Sequence, residues 1–171
     1  MTKMTTPLVL AKATVADIPA IRNIAMATWP VTYGGIISAN QIEYMLNMMY
    51  SETVLIQQMQ SGEQQFIIAY QNDIPIAFTG FGIVKKEPLT YKLHKLYVLP
   101  TIQKTGAGQK LLQEVETITK TAGAVQLILN VNRENNAAGF YKHKGYTVLE
   151  NIELNIGNGF YMTDYVMGKN L

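Results

Sequence analysis

Residues 93–108 read LHKLYVLPTIQKTGAG, and this stretch decides the fold. Its first part continues an alternating strand, Tyr91–Val98, that Pro100 ends. Gln103-Lys104-Thr105-Gly106-Ala107-Gly108 then forms a loop with two glycines, and the loop opens a helix. Such a loop can aim several backbone N–H groups at one point. The start of a helix adds about half a positive charge there. Together they make an anion site suited to phosphate, with Lys104 supplying a side-chain cation. Two phosphate loops are excluded by spacing. A Walker loop needs Gly-Lys-Ser/Thr, whereas Gly108 is followed by Gln109-Lys110-Leu111. A dinucleotide fingerprint needs a third glycine where Leu111 stands. The plain alternative is a helix opened by glycines that binds nothing.

Upstream, Phe66–Tyr70 and Ile74–Val84 read as strands around an Asn72-Asp73 turn, and with Tyr91–Val98 they predict a three-strand antiparallel meander. Gly80 and Gly82 interrupt the middle strand, as glycines do at bulges or where another chain segment or a ligand comes close. Before the meander, Leu8–Ala13 predicts a strand. Thr14 and Asp17 then form a capping box with Asp in place of Glu, and Ile18, Ile21, Ile24 and Ala25 form a helical stripe. Pro19 fits in the first turn of that helix, and Trp29-Pro30 is expected to end it. Ser38 caps a second helix with Ile42, Met45, Leu46 and Met49 as its stripe, and Glu52–Gln60 is a third that stops at Gly62. Downstream, the loop helix carries Leu111, Val115, Ile118 and Ala122 on one face and closes at Gly123. Ala124–Val131 is a nearly continuous apolar strand, Asn135–Lys144 a short helix, and Tyr146–Leu154 and Phe160–Met167 a final hairpin around 157–159. The order predicts an α/β (α+β) fold, a mixed sheet with helices on both faces.

Composition bounds the chemistry. The 171 residues suit one domain, 1–171, and contain no cysteine, which excludes disulfides, thiolate metal sites and a cysteine nucleophile. Charged residues make up 15%, against the ~25% usual in soluble domains, and hydrophobic residues 48%, so global disorder is excluded. No apolar run approaches the ~18 residues of a membrane span. Met1–Leu10 lacks a sustained apolar core, so the expectation is a cytoplasmic protein without a secretory signal. The net charge of +2 gives no case for nucleic acid, and no basic, aromatic-interleaved stripe does either. Positive charge is concentrated in 85–110, where six lysines face only Glu87 and leave +5. That cluster is either a solvated face or an attractor for a polyanionic ligand. His94 and His143 stand 49 residues apart without ligand-spaced acids, so no metal site is expected.

A second segment, NVNRENNAAGFYKHKGY at 130–146, adds to the loop. Gln-x-x-Gly-x-Gly at 103–108, then Asn135-x-x-Ala138-x-Phe140-Tyr141 and Gly145-Tyr146, resemble the two signature segments of the GNAT superfamily of acetyl-CoA-dependent N-acetyltransferases. About 30 residues, one helix and one strand separate them. The order of elements over most of the chain also resembles that family. Gln41–Tyr50 and Met162–Met167 look like the branch with bacterial spermine/spermidine acetyltransferases.

The resemblance implies a mostly antiparallel seven-stranded sheet splayed between its fourth and fifth strands. The pantetheine arm of acetyl-CoA would pair with the edge Leu96-Tyr97-Val98. The pyrophosphate would lie on Gln103, Lys104, Thr105, Gly106, Ala107 and Gly108, with Gln109 joining, and Asn135 and Ala138 would flank the cofactor. It further implies direct transfer to a small-molecule amine, with the oxyanion facing the Val98 N–H and Tyr141 protonating the departing thiolate. Many relatives carry a glutamate base where this chain has Lys92. His94 is then the candidate base, with a water chain as its competitor. Trp29, Tyr33, Glu43 and Tyr44 are candidate acceptor-site residues. Asp164 reads as a structural acid with a partner, its alternative being a place in the acceptor wall. His143, between Lys142 and Lys144, reads as solvated. A monomer or homodimer is expected. A CoA-binding module without turnover is the competing function, and an interaction domain without nucleotide a third.

Overall fold

The computed structural model describes residues 6–102 and 104–171. The elements are β1 (Val9–Lys12), α1 (Ile18–Tyr33), α2 (Ala39–Tyr50), α3 (Glu52–Ser61), β2 (Gln65–Gln71), β3 (Ile74–Lys86), β4 (Leu89–Val98), α4 (Ala107–Thr121), β5 (Gln126–Asn132), α5 (Ala137–His143), β6 (Thr147–Gly157) and β7 (Phe160–Asn170). The strands form one seven-stranded sheet in the order β1-β2-β3-β4-β5-β7-β6. Every neighbouring pair is antiparallel except β4 and β5. The meander β2–β3–β4 and the β6–β7 hairpin form as expected, the latter turning through Asn158 at φ 53 between two left-handed glycines.

Each face of the sheet has its own core. Leu111, Leu112 and Val115 of α4 and Tyr141 of α5 pack on Phe81, Tyr91, Leu93, Leu127 and Leu129. On the other face Ile21, Ile24 and Trp29 of α1, Met45 of α2 and Leu55 of α3 pack on Phe66, Ile68 and Phe78. Helices therefore cover both faces, which leaves the polar edges and ends of the sheet for a ligand.

The helices differ from expectation in three places, each for a local reason. The helix α1 runs through Pro30 to Tyr33 instead of stopping at Trp29-Pro30. Proline removes the N–H that would bond the Met26 carbonyl. Met26 lies on the exposed side of the helix, 57% accessible, where water can take that role. The buried stripe of α4 includes Leu112 and Thr119 and leaves Ala122 exposed. Thr119 tolerates burial because its hydroxyl donates to the Val115 carbonyl at 2.8 Å. Finally, α5 begins at Ala137, because Asn135 stands outside the helix and its Oδ1 accepts the Ala137 N–H at 2.9 Å. The Thr14–Asp17 capping box forms, with the Thr14 N–H donating to Asp17 Oδ2 at 2.7 Å.

Both strand glycines have a reason. A Cβ on Gly82 would lie 1.9 Å from the Glu63 carbonyl oxygen, so the segment joining α3 to β2 packs against bare backbone there. Gly80 stands next to a bulge: it pairs with Lys95 while Phe81 pairs with Leu93, so His94 has no partner on β3. The Thr79 hydroxyl donates to the Lys95 carbonyl at 2.6 Å and pins this irregularity.

Candidate active site

The parallel pairing of β4 with β5 covers only Thr90–Leu93 against Gln126–Leu129. Both strands continue past that point, β4 to Val98 and β5 to Asn132, without pairing. The sheet therefore splits between its fourth and fifth strands, as the sequence resemblance implied. Strand register fixes which backbone groups face the split. The Leu99 N–H donates to the Ile76 carbonyl at 2.8 Å, and Val98 stands opposite Ala77. Val98 is thus in a non-hydrogen-bonded pair, so its own N–H and C=O point away from β3 into the gap. Leu96, two residues earlier and opposite Thr79, has the same orientation. Tyr97 differs from expectation: opposite Phe78, its backbone is directed at β3, and it reaches the cleft through its side chain.

The start of α4 lies at the end of this edge. A Cβ on Gly108 would sit 3.6 Å from Val98 Cγ2. Lys104 and Gly106 turn the chain with φ of 73° and 83°. Among the described residues the helix has no side-chain cap, and Lys110 is the first whose N–H bonds back, to the Gly106 carbonyl at 3.0 Å. The N–H groups of Ala107, Gly108 and Gln109 therefore lack intrahelical acceptors. Lys104, Thr105 and Gln109 are exposed beside them. Gln103 lies outside the described residues.

Across the gap, Tyr141 of α5 lines the cleft with Asn130, Val131 and Asn135. Burial, with Tyr33 nearby, pushes the Tyr141 phenol above its ordinary pKa, so it carries its proton at neutral pH. Asn135 uses its side-chain oxygen at the start of α5, and Ala138 is buried behind it.

The opposite wall is made of side chains. Tyr33 lines the cleft, and its hydroxyl lies 3.1 Å from that of Tyr97. Of the other candidate acceptor-site residues, none lines it. Trp29 is 1% exposed and packs between Tyr33, Tyr50 and Tyr97, so it supports the wall from beneath. The Tyr44 hydroxyl donates to the Ile156 carbonyl at 2.8 Å and its ring meets Phe160, which ties α2 to the β6–β7 hairpin. Glu43 is exposed on α2. Trp29 and Tyr33, four residues apart, share one face of α1, so helical spacing could not separate wall from support.

His94 lies in the bulge. An imidazole with its ordinary pKa suits a base near pH 7, but burial and the charges of Lys92 and Lys95 push this one down to about 4. It is neutral at pH 7 and holds a proton weakly. Lys95 is 3% exposed and has no salt bridge among the described residues. Its Nζ donates to Gln64 Oε1 at 2.8 Å and lies over the Phe66 ring, and burial lowers its pKa to about 8. The bulge places this lysine, which the sequence marked only as part of the positive stretch, inside the α1–α3 face. Asp164 has no salt bridge among the described residues; the side chain of Asn130 favours its charged form, while its Oδ1 is buried without a hydrogen-bond partner, so the structural acid expected is only partly paired. His143 is exposed, as expected.

A sheet split beside an uncapped helix start, with a protonated phenol across the gap, defines a class. Residues 36–168 match the family model described as "Acetyltransferase (GNAT) domain", and the chain belongs to this family of acetyl-CoA-dependent acetyltransferases, which transfer an acetyl group to an amine. A curated relative, the spermidine N(1)-acetyltransferase of Thermoplasma acidophilum, is 27% identical over 144 residues, covering 81% of this chain and 88% of that protein. The crystal structure of the PaiA N-acetyltransferase of Thermoplasma acidophilum in complex with coenzyme A superposes with a TM-score of 0.81 at 26% identity, over 96% of this chain and 99% of that one. A GCN5-related N-acetyltransferase from Rhodopseudomonas palustris shares the fold over the whole of both chains, with a TM-score of 0.82 at 21% identity.

The residues present fit acetyl-CoA. An unpaired strand edge, helix-start N–H groups with no intrahelical acceptor among the described residues and a glycine at the point of closest approach are the groups that a pantetheine amide and a diphosphate require.

Proposed function

We propose that this protein, as one acetyltransferase domain over residues 1–171, moves the acetyl group of acetyl-CoA to a primary amine of a small cationic molecule of the polyamine kind. The transfer is a direct attack within a complex holding both substrates. The observation that carries this reading is the pair of backbone N–H and C=O groups, on Leu96 and Val98, that face the split with no strand to receive them. The activity named for the curated relative supports the choice of acceptor.

In this reading Leu96 and Val98 hold the pantetheine arm. Lys104, Thr105 and Gly106 with the N–H groups of Ala107, Gly108 and Gln109 hold the pyrophosphate. The six lysines of 85–110 draw the polyanion in. Asn135 and Ala138 flank the thioester, and holding amine and thioester together supplies much of the acceleration. The Val98 N–H faces the oxyanion that forms on attack. Tyr141, which keeps its proton at neutral pH, delivers it to the departing thiolate. A free alkylamine of pKa ~10.4 is mostly protonated at pH 7, so it must lose a proton before attack. Neutral His94 accepts a hydrogen bond from water and orients it, and water carries the proton away, because an imidazole with a pKa of about 4 does not retain it.

The test is thiol release from acetyl-CoA against a panel of monoamines, diamines and polyamines. Amine-dependent release that Tyr141→Phe reduces supports the reading. Saturable acetyl-CoA binding with no amine-dependent release would replace it with a binding module.

A further inference from the structure

Asp164 is a buried acid that its own fold satisfies only in part. It sits on β7 opposite Asn132 of β5 and Ile152 of β6, and it is 6% exposed. Its Oδ1 has no hydrogen-bond partner. Folded proteins rarely leave a buried carboxylate oxygen in this state, and a ligand is one way to complete it. Strand alternation fixes the face. Leu127, Leu129 and Val131 of β5 belong to the α4 core, so Asn130 and Asn132 point to the opposite face. Met162, two residues before Asp164, packs with α1 and α2 on that same face. Asp164 therefore shares the floor of the acceptor side with Asn130.

The groups around it narrow the ligand. Burial raises the pKa of its carboxyl, while Lys92 from β4, Arg133 after β5 and the side chain of Asn130 favour the charged form, and Tyr33 of α1 feels its charge. Neither cation forms a salt bridge with it among the described residues. The Arg133 guanidinium donates instead to the Ile152 carbonyl at 3.2 Å. Oδ1, an acceptor when the acid is ionised, thus lies buried on the same face of the sheet as Asn130, which lines the cleft.

We propose that Asp164 Oδ1 pairs with an ammonium group of the acceptor other than the nitrogen that reacts. The inference rests on the acetyltransferase reading above and adds a requirement to it. The reacting nitrogen must be neutral, so only an acceptor with a second amino group has a cation left for Asp164. The enzyme then selects diamines and polyamines over monoamines of equal length. Lys92, the nearby cation, opposes this pairing and sets its strength.

The test compares spermidine with butylamine in the wild type, Asp164→Asn and Lys92→Met, alongside calorimetric titration of spermidine into each protein–CoA complex. We expect the wild type to favour spermidine at least tenfold in kcat/KM. Asp164→Asn should erase that preference through KM while leaving CoA affinity unchanged. Lys92→Met should act oppositely and tighten spermidine severalfold. A merely structural Asp164 would lower thermal stability without moving the ratio of the two amines. An unchanged ratio in Asp164→Asn, with turnover intact, overturns the inference and leaves the acetyltransferase reading standing. Spermidine affinities equal in wild type and Asp164→Asn, or absent in both, overturn it even where no turnover is seen. If Asp164→Asn fails to fold, Lys92→Met decides, and equal or weaker spermidine binding there overturns the inference.

Discussion

The two sides of the cleft are built from different materials. The α4 side is backbone: unpaired groups of Leu96 and Val98 and the uncapped N–H groups at the start of α4. The α1 side is side chains: Tyr33, Tyr97 and His94 line the cleft, with Lys92 and Asp164 beside them on the same face of the sheet. A backbone site depends on where the chain can turn and how close it can come, so few substitutions are needed to block it. A side-chain site depends on which neighbours tertiary packing supplies, so its groups can be exchanged one at a time. Substitutions on the α4 side should therefore act all-or-none on the cofactor, and those on the α1 side should be graded and should act on the acceptor and the chemistry.

The largest expected effect breaks the backbone side. Gly108→Glu places a carboxylate at the positive end of α4 and should abolish acetyl-CoA binding in calorimetry. Gly108→Ala sharpens the comparison. Its Cβ would meet Val98 Cγ2 at 3.6 Å, an ordinary contact, so the fold should persist and any loss of CoA affinity reports on space for the cofactor itself. Next, Tyr141→Phe should lower kcat by roughly 10²–10⁴-fold with CoA affinity intact, measured by thiol release. An equal loss in binding would move Tyr141 from chemistry to packing.

A smaller effect appears in stability against pH. The Lys95 ammonium has its pKa lowered from 10.5 to about 8 in the fold, chiefly by burial. Between those values the unfolded chain binds more protons, so this lysine makes stability rise with pH from about 8 and lowers it below pH 8. Lys95→Met should remove much of that slope in denaturant titrations at pH 7 and pH 9, the half-buried Lys92 keeping its own smaller share. An unchanged slope would mean that Lys95 keeps its charge in the fold. The smallest effect lies away from the cleft. Asp17→Ala removes half of the capping box before α1 and should cost about 1 kcal/mol, seen as a drop in Tm of about 2–4 °C, with acetyl-CoA and amine parameters unchanged.

The same difference in material explains what the sequence could reveal. The glycines at 106 and 108, the ending of β4 at Pro100 and the stripe of α4 are local signals, and they located the α4 side and the element order. Strand alternation located the meander and the hairpin. It did not locate the bulge at His94, because an extra residue in one strand is visible only against its partner. From that bulge onward the parity of β4 reverses. Lys95 therefore enters the core and Tyr97 turns its ring toward Trp29, neither of which alternation from Tyr91 would give. Asp164 could be placed on a face from sequence. Its lack of a partner could not, since that depends on Lys92 and Arg133 arriving from other strands and stopping short.

In the proposed function, a split sheet edge and the start of α4 hold acetyl-CoA by their backbone groups. Amide hydrogen exchange resolved by residue, with and without CoA, tests it most directly. The account predicts new protection at the N–H groups of Leu96, Val98, Ala107, Gly108 and Gln109, and little change at Tyr97, whose N–H already faces β3. Saturating CoA that leaves Leu96 and Val98 exchanging as freely as before would contradict it.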